Sequence, residues 1–168
     1  MTELDQLWSQ MLDDALANAD ISGRRHVAEY LRLKATNDAI RGKCVGWLLD
    51  TFIEMATGNR QPHRQIIIER EDPHSYKRGA STMVGSLLRL RQGVRCLTVE
   101  AGWTRTPSDG VMVKGALAFA RVTHFGMPKL GVEYRLAIVE TTPKWLAAGD
   151  LIVDSAELRR HFDIFVGP

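Results

Sequence analysis

The chain has 168 residues, 45% of them hydrophobic and 25% charged, the profile of an ordinary folded domain and not of a disordered, collagen-like or membrane-spanning chain. At this length roughly two-thirds of the unfolded surface can be buried, enough for one genuine core. The net charge of +2 is unevenly spread: residues 1–20 carry five acids and no Lys or Arg, residues 21–135 carry 19 basic against 10 acidic side chains, and residues 136–168 carry 3 against 5.

Apolar stretches such as Ile66–Ile68 and Val111–Val113 fall far short of the roughly 20 residues needed to cross a bilayer. The start, Thr2-Glu3-Leu4-Asp5, lacks the basic residues and apolar run of a secretory signal. The expectation is a cytoplasmic protein with no membrane partner. Cys44 and Cys96 have neither metal-ligand nor redox spacing and read as buried, reduced thiols.

Leu4, Leu7, Trp8, Met11, Leu12 and Leu16 recur at three- and four-residue spacing, which predicts an amphipathic helix capped by Thr2 and broken by Asp20, Ser22 and Gly23. A second helical stretch runs from about Arg25 to Met55, its apolar stripe formed by Val27, Tyr30, Leu31, Ile40, Cys44, Trp47, Leu48 and Phe52. Asn37, Asp38, Gly42 and Gly46 predict a kink or break near Thr36–Gly42, and Thr57-Gly58-Asn59, followed by Pro62, end the helix.

Beyond residue 62 the pattern becomes strand-like. Gln65–Glu71 is a first strand, ended by Asp72 and Pro73. Leu88 and Leu90 alternate with Arg89 and Arg91, and Val94–Glu100 follows across Gln92-Gly93, which predicts a hairpin with Gly93 at its turn; a helix over Ser81–Leu90 is the competing reading. Gly102–Gly110 is a loop. Val111–Phe125 and Val132–Thr141 read as strands covered on both faces, or nearly so, with the small Ala116, Ala118 and Ala120 row letting a helix lie close. Asp154 or Ser155 caps a short helix, Ala156–Val166, with Leu158, Phe162 and Phe165 facing inward.

The sum is an α+β fold: N-terminal helices packed on an antiparallel sheet of about five strands, with a C-terminal helix. The reading is one domain over 1–168, helical over 1–60, mainly β over 61–152 and closed by a helix over 153–168.

The sequence contains no phosphate-cradling loop, dinucleotide-binding turn or His-Glu-x-x-His zinc helix, and no Gly-x-Ser-x-Gly nucleophile elbow. The common nucleotide, zinc-protease and serine-hydrolase chemistries are thereby disfavoured. Nothing specifies a cofactor or a metal. Three groups of residues nevertheless carry chemistry. His74, Lys77 and Arg78, followed by Gly79, Ser81 and Thr82, place cations and hydroxyls on what reads as a loop, a reasonable anion site. Trp103 and Arg105, beyond the strand ending at Glu100, can stack on or bind a planar or anionic ligand. Arg89, Arg91, Arg95 and Arg121 lie on or beside strands of the basic middle segment, where clustered positive charge attracts nucleic acid or an acidic protein.

The leading functional expectation is a non-enzymatic binding or accessory domain for an anionic partner, with nucleic acid the first candidate. A second reading pairs Glu100 with His124 as catalytic residues at neighbouring strand ends, with Glu69 or Glu71 and a divalent metal, in a phosphodiester hydrolase. A third is an oligomerisation module in which Leu4, Trp8, Met11 and Leu12 form a homo-oligomer through the N-terminal helix.

Overall fold

A computed structural model of the chain describes residues 7, 10–15, 17–18, 25–58 and 65–167. Two compact units divide at Ile40 and Arg41, inside the long helix α1 (Arg25–Thr57). In the first unit, residues 10–15, 17 and 18 are helical, and Leu7 and Met11 are exposed. The Thr2 cap, Leu4, Trp8, Leu16 and the break at Asp20–Gly23 lie outside the described residues. Helix α1 runs without the interruption that Asn37, Asp38 and Gly42 suggest; weak helix formers cost only about 1 kcal/mol each at most, too little to break so long a helix.

The second unit is a six-stranded antiparallel meander in the order β1 (Ile67–Arg78), β2 (Ser81–Gln92), β3 (Arg95–Trp103), β4 (Ala118–His124), β5 (Val132–Val139) and β6 (Thr142–Leu146), followed by helix α2 (Ser155–Val166). It is α+β as expected, with six strands and not five. Residues 81–90 are strand. Strand β1 continues through Asp72 and Pro73, because a register shift between Glu71 and His74 absorbs the proline and leaves no ladder amide missing. The segment expected as a loop, His74–Arg78, therefore forms one arm of a hairpin whose tip is Gly79-Ala80.

Strand β4 is shorter than expected, since residues 111–117 are not strand and Lys114 and Gly115 both have positive φ. Glu140 and Thr141, also at positive φ, make the two-residue turn into β6, a geometry that normally selects Asn or Gly. Helix α2 is capped as expected, the Asp154 carboxylate accepting from the Glu157 amide at 3.0 Å.

One face of the sheet is covered by helix. Val45, Leu48, Leu49 and Phe52 of α1 and Leu158, Phe162 and Phe165 of α2 share a core with Leu88, Leu90, Leu97, Val99, Val122, Tyr134 and Leu136. Ala118 and Ala120 lie in this core, small enough for close packing. The inward stripe of α1 is rotated from the one expected: Trp47 is 42% exposed and Val45, Leu49 and Ala56 take the buried positions. Trp145 Nε1 donates to the Cys44 carbonyl at 3.1 Å and Arg41 Nε to that of Leu117 at 2.6 Å, tying helix to sheet. Cys44 and Cys96 are free and half-buried, and burial raises the Cys44 thiol pKa. Among the described residues no helix is long and apolar enough to cross a membrane.

On the opposite face the cross-strand row His74, Gly85, Gly102, Phe119 holds two adjacent glycines. A Cβ on Gly85 would overlap the Ala101 carbonyl oxygen, and one on Gly102 would sit 2.6 Å from that of Val84, so β2 and β3 approach more closely here than any side chain permits. Gly85→Ala is expected to lower unfolding stability by about 2 kcal/mol or more. Gly42→Ala, on helix with nothing within 4 Å, should raise it by roughly 0.5–1 kcal/mol. Urea titration of both variants checks the contrast.

Candidate functional site

Two-residue alternation sends Glu69, Glu71, His74, Tyr76 and Arg78 of β1, Arg89 and Arg91 of β2, Thr98 and Glu100 of β3, Arg121 and Thr123 of β4 and Glu133 and Arg135 of β5 to the face opposite the helices. The strands are therefore not covered on both sides by helix. A small apolar cluster of Met83, Ala116 and Phe119, with Tyr76 and Met112 against it, fills one part of this face.

Much of the charge on it is internally matched. Arg78 donates to both carboxylate oxygens of Glu133, at 2.8 and 2.9 Å, and stacks on Phe119 with its guanidinium carbon 3.7 Å from the ring centroid; this pairing raises the Arg78 pKa. Lys77 donates to Thr82 Oγ1 at 2.7 Å. His74 Nε2 is 2.7 Å from Glu100 Oε2, with Glu71 3.7 Å from its other ring nitrogen. Arg121 lies 5.5 Å over the Tyr76 ring and donates to the Lys77 carbonyl at 3.4 Å. Tyr76 donates to the Phe119 carbonyl at 3.0 Å, and burial, then the Glu100 charge, push its phenol pKa upward. The expected anion site at His74, Lys77 and Arg78 is thus a set of cross-strand pairs.

Trp103 and Arg105 do come together, but with each other. Arg105 lies 3.7 Å over the indole, and its Nε and Nη2 donate to the Val84 carbonyl at 3.2 and 2.9 Å. Trp103 is buried against the core, so one ring face is covered by Arg105. Asp109 accepts from the amides of Arg105 and Thr106 at 3.0 and 3.1 Å, which holds its carboxyl pKa below the usual range.

Glu100 and His124 do not meet. His124 is the register partner of Leu97 and shares the helix-covered face, whereas Glu100 pairs with Arg121 on the other. Among the described residues no group of three or more His, Cys, Asp or Glu side chains is placed to hold a metal ion.

The cleft at the β2–β3 turn is differently equipped. Arg89, Arg91, Arg95, Cys96, Thr98, Thr123 and Phe125 line a cavity of about 560 Å³. Glu69 on β1 lies 3.2 Å from Arg89 and 3.6 Å from Arg91; among the described residues it is the one carboxylate within ion-pair distance of either. Arg95 reaches toward α2, donating to the Phe165 carbonyl at 3.4 Å, and borders a second cavity with Arg159, Arg160 and Asp163. Of the four arginines expected to contact nucleic acid, three therefore share a cleft, while Arg121 turns to Tyr76. Comparison with known protein families, with curated proteins and with solved structures finds no match.

His124 instead pairs with His161 of α2. Its Nε2 lies 2.9 Å from His161 Nδ1, the rings stacked with centroids 5.2 Å apart, and both are buried. His161 Nε2 lies 3.4 Å from Glu157 Oε1, and Glu157 also accepts from Tyr134 and Arg160. His124 Nδ1 is buried without a partner. Protonating the pair places a hydrogen on that nitrogen whichever ring takes the charge, because the single contact between the rings holds one proton.

Burial, then Arg160 and His124, push the His161 pKa down to about 4; burial and Arg160 lower that of His124. The unfolded chain protonates first, so this contribution to stability is complete above about pH 6.5 and is lost as pH falls toward 4. The urea midpoint is expected to drop between pH 7 and pH 5, and His161→Leu should flatten that dependence. An unchanged wild-type midpoint over this range would count against the protonation argument.

Proposed function

We propose that the chain is a binding module for an anionic partner, nucleic acid foremost, and that Arg89, Arg91 and Arg95 in the β2–β3 cleft make the contact. One observation carries the reading: Arg89 and Arg91 line one cleft with Glu69 as the carboxylate paired with both of them, and Arg95 borders that cleft while its guanidinium reaches toward α2. The surplus of positive charge attracts phosphates, and guanidiniums bind phosphate oxygens in bidentate fashion. Thr98 and Thr123, a cross-strand pair, add hydroxyl donors of the kind that position a sugar-phosphate backbone.

An extended polyanion suits the geometry better than a single small anion. Arg95 borders both the cleft and the cavity on α2 that holds Arg159 and Arg160, so the arginines continue past the end of the sheet. A path of this kind contacts successive phosphates, and its affinity depends steeply on salt.

Fluorescence anisotropy of labelled DNA and RNA across a salt series tests this. Arg89→Ala and Arg91→Ala should each weaken binding and reduce the slope of log K against log salt by about one, whereas Lys144→Ala, on β6, should leave both unchanged. Absence of binding to every oligonucleotide at low salt would remove the reading.

A further inference from the structure

Phe125 is a large aromatic side chain left in water beside the arginines. It is 76% exposed and lines the cleft with Arg89, Arg91 and Arg95. Leaving such a ring exposed forgoes roughly 1.5–3 kcal/mol of burial, and its backbone is held in place. The Phe125 amide donates to the Cys96 carbonyl at 3.0 Å, and the Met127 amide to that of His124 at 3.0 Å, closing the turn through Gly126 at φ 77. The backbone that carries the ring is therefore held one residue beyond β4, and the side chain lines the basic cleft.

We infer that the cleft takes an unpaired nucleotide of a single-stranded nucleic acid, its base stacked on Phe125 and its flanking phosphates held by Arg89, Arg91 and Arg95. The inference rests on the anion-binding reading and adds the strandedness of the ligand to it. Every base offers a π-face to an aromatic ring, so stacking is indifferent to sequence; within a duplex those faces are occupied by neighbouring base pairs. A cavity of about 560 Å³ lies within the range of roughly 300–1,000 Å³ typical of small-ligand sites. Thr98 and Thr123 complete a wall with hydroxyls for the sugar-phosphate.

The test compares labelled oligothymidine, oligouridine and a DNA duplex of the same length by anisotropy, on the wild type, Phe125→Ala, Phe125→Trp and Arg91→Ala. Both single strands should bind more tightly than the duplex. Phe125→Ala should weaken single-strand binding about tenfold with an unchanged salt slope, because no phosphate contact is lost, and Phe125→Trp should retain it. Arg91→Ala should weaken every ligand and flatten the slope. If Phe125→Ala binds single strands like the wild type while Arg91→Ala does not, the stacking inference fails and the anion-binding reading survives. Equal or tighter binding of the duplex also overturns the inference. If the wild type binds no oligonucleotide, both readings fall; a parallel arm with vesicles containing anionic lipid would then show whether Phe125 and the 90% exposed Val94 enter a membrane surface instead.

Discussion

The register of β2, β3 and β4 is the constraint on which the rest depends. Leu88, Val99 and Val122 stand in one cross-strand row and Leu87, Glu100 and Arg121 in the next, so successive rows belong to opposite faces. The first kind of row is buried under α1 and α2 and the second meets the open side. A slip of one residue would bring Arg89 and Arg121 under the helices and expose Leu88 and Val122, exchanging a hydrophobic core for buried charge. The cleft at the β2–β3 turn follows from that register, since Arg89 and Arg91 share a side with Thr98 and Thr123.

The hydrophobic core and the Arg89–Arg91 pair thus sit on different faces. Burial of Leu, Val and Phe side chains at roughly 1.5–3 kcal/mol each places the main driving force under the helices. Exposed ion pairs are worth only about 0–1 kcal/mol, so Arg78 with Glu133 and Arg89 with Glu69 orient side chains more than they hold the fold. Arg78 is fully engaged, with Glu133 across two hydrogen bonds and Phe119 beneath it. Arg89 and Arg91 share one carboxylate, and that difference separates the cleft from the remainder of the open face.

What could be read from the sequence was what local chemistry decides. The Asp154 cap and the Leu158, Phe162, Phe165 stripe specified α2, and Gly93 between alternating runs specified the β2–β3 hairpin. What stayed hidden depended on partners far away in sequence. Asp72-Pro73 carries a stop signal that the shifted register of β1 overrides, and Glu140-Thr141 lacks the Gly or Asn that would have announced β6. Glu100 and His124 end neighbouring strands in any antiparallel reading, yet only the register assigns them to opposite faces. Arg89 and Arg91 were recognisable from alternation with leucines. Phe125 carried no signal, because a phenylalanine at a strand end is normally read as core, and its exposure emerges only once the turn is built.

Under the proposed function an anionic partner meets the protein at the β2–β3 end of the open face. Mapping amide chemical shifts of isotope-labelled protein during titration with a single-stranded oligonucleotide tests it most directly. The largest changes are expected over Arg89–Thr98 and Thr123–Met127, with the helix-covered face unaffected. Changes centred on the β5–β6 edge or on the Trp103–Asp109 segment, or none at saturating ligand, would contradict it.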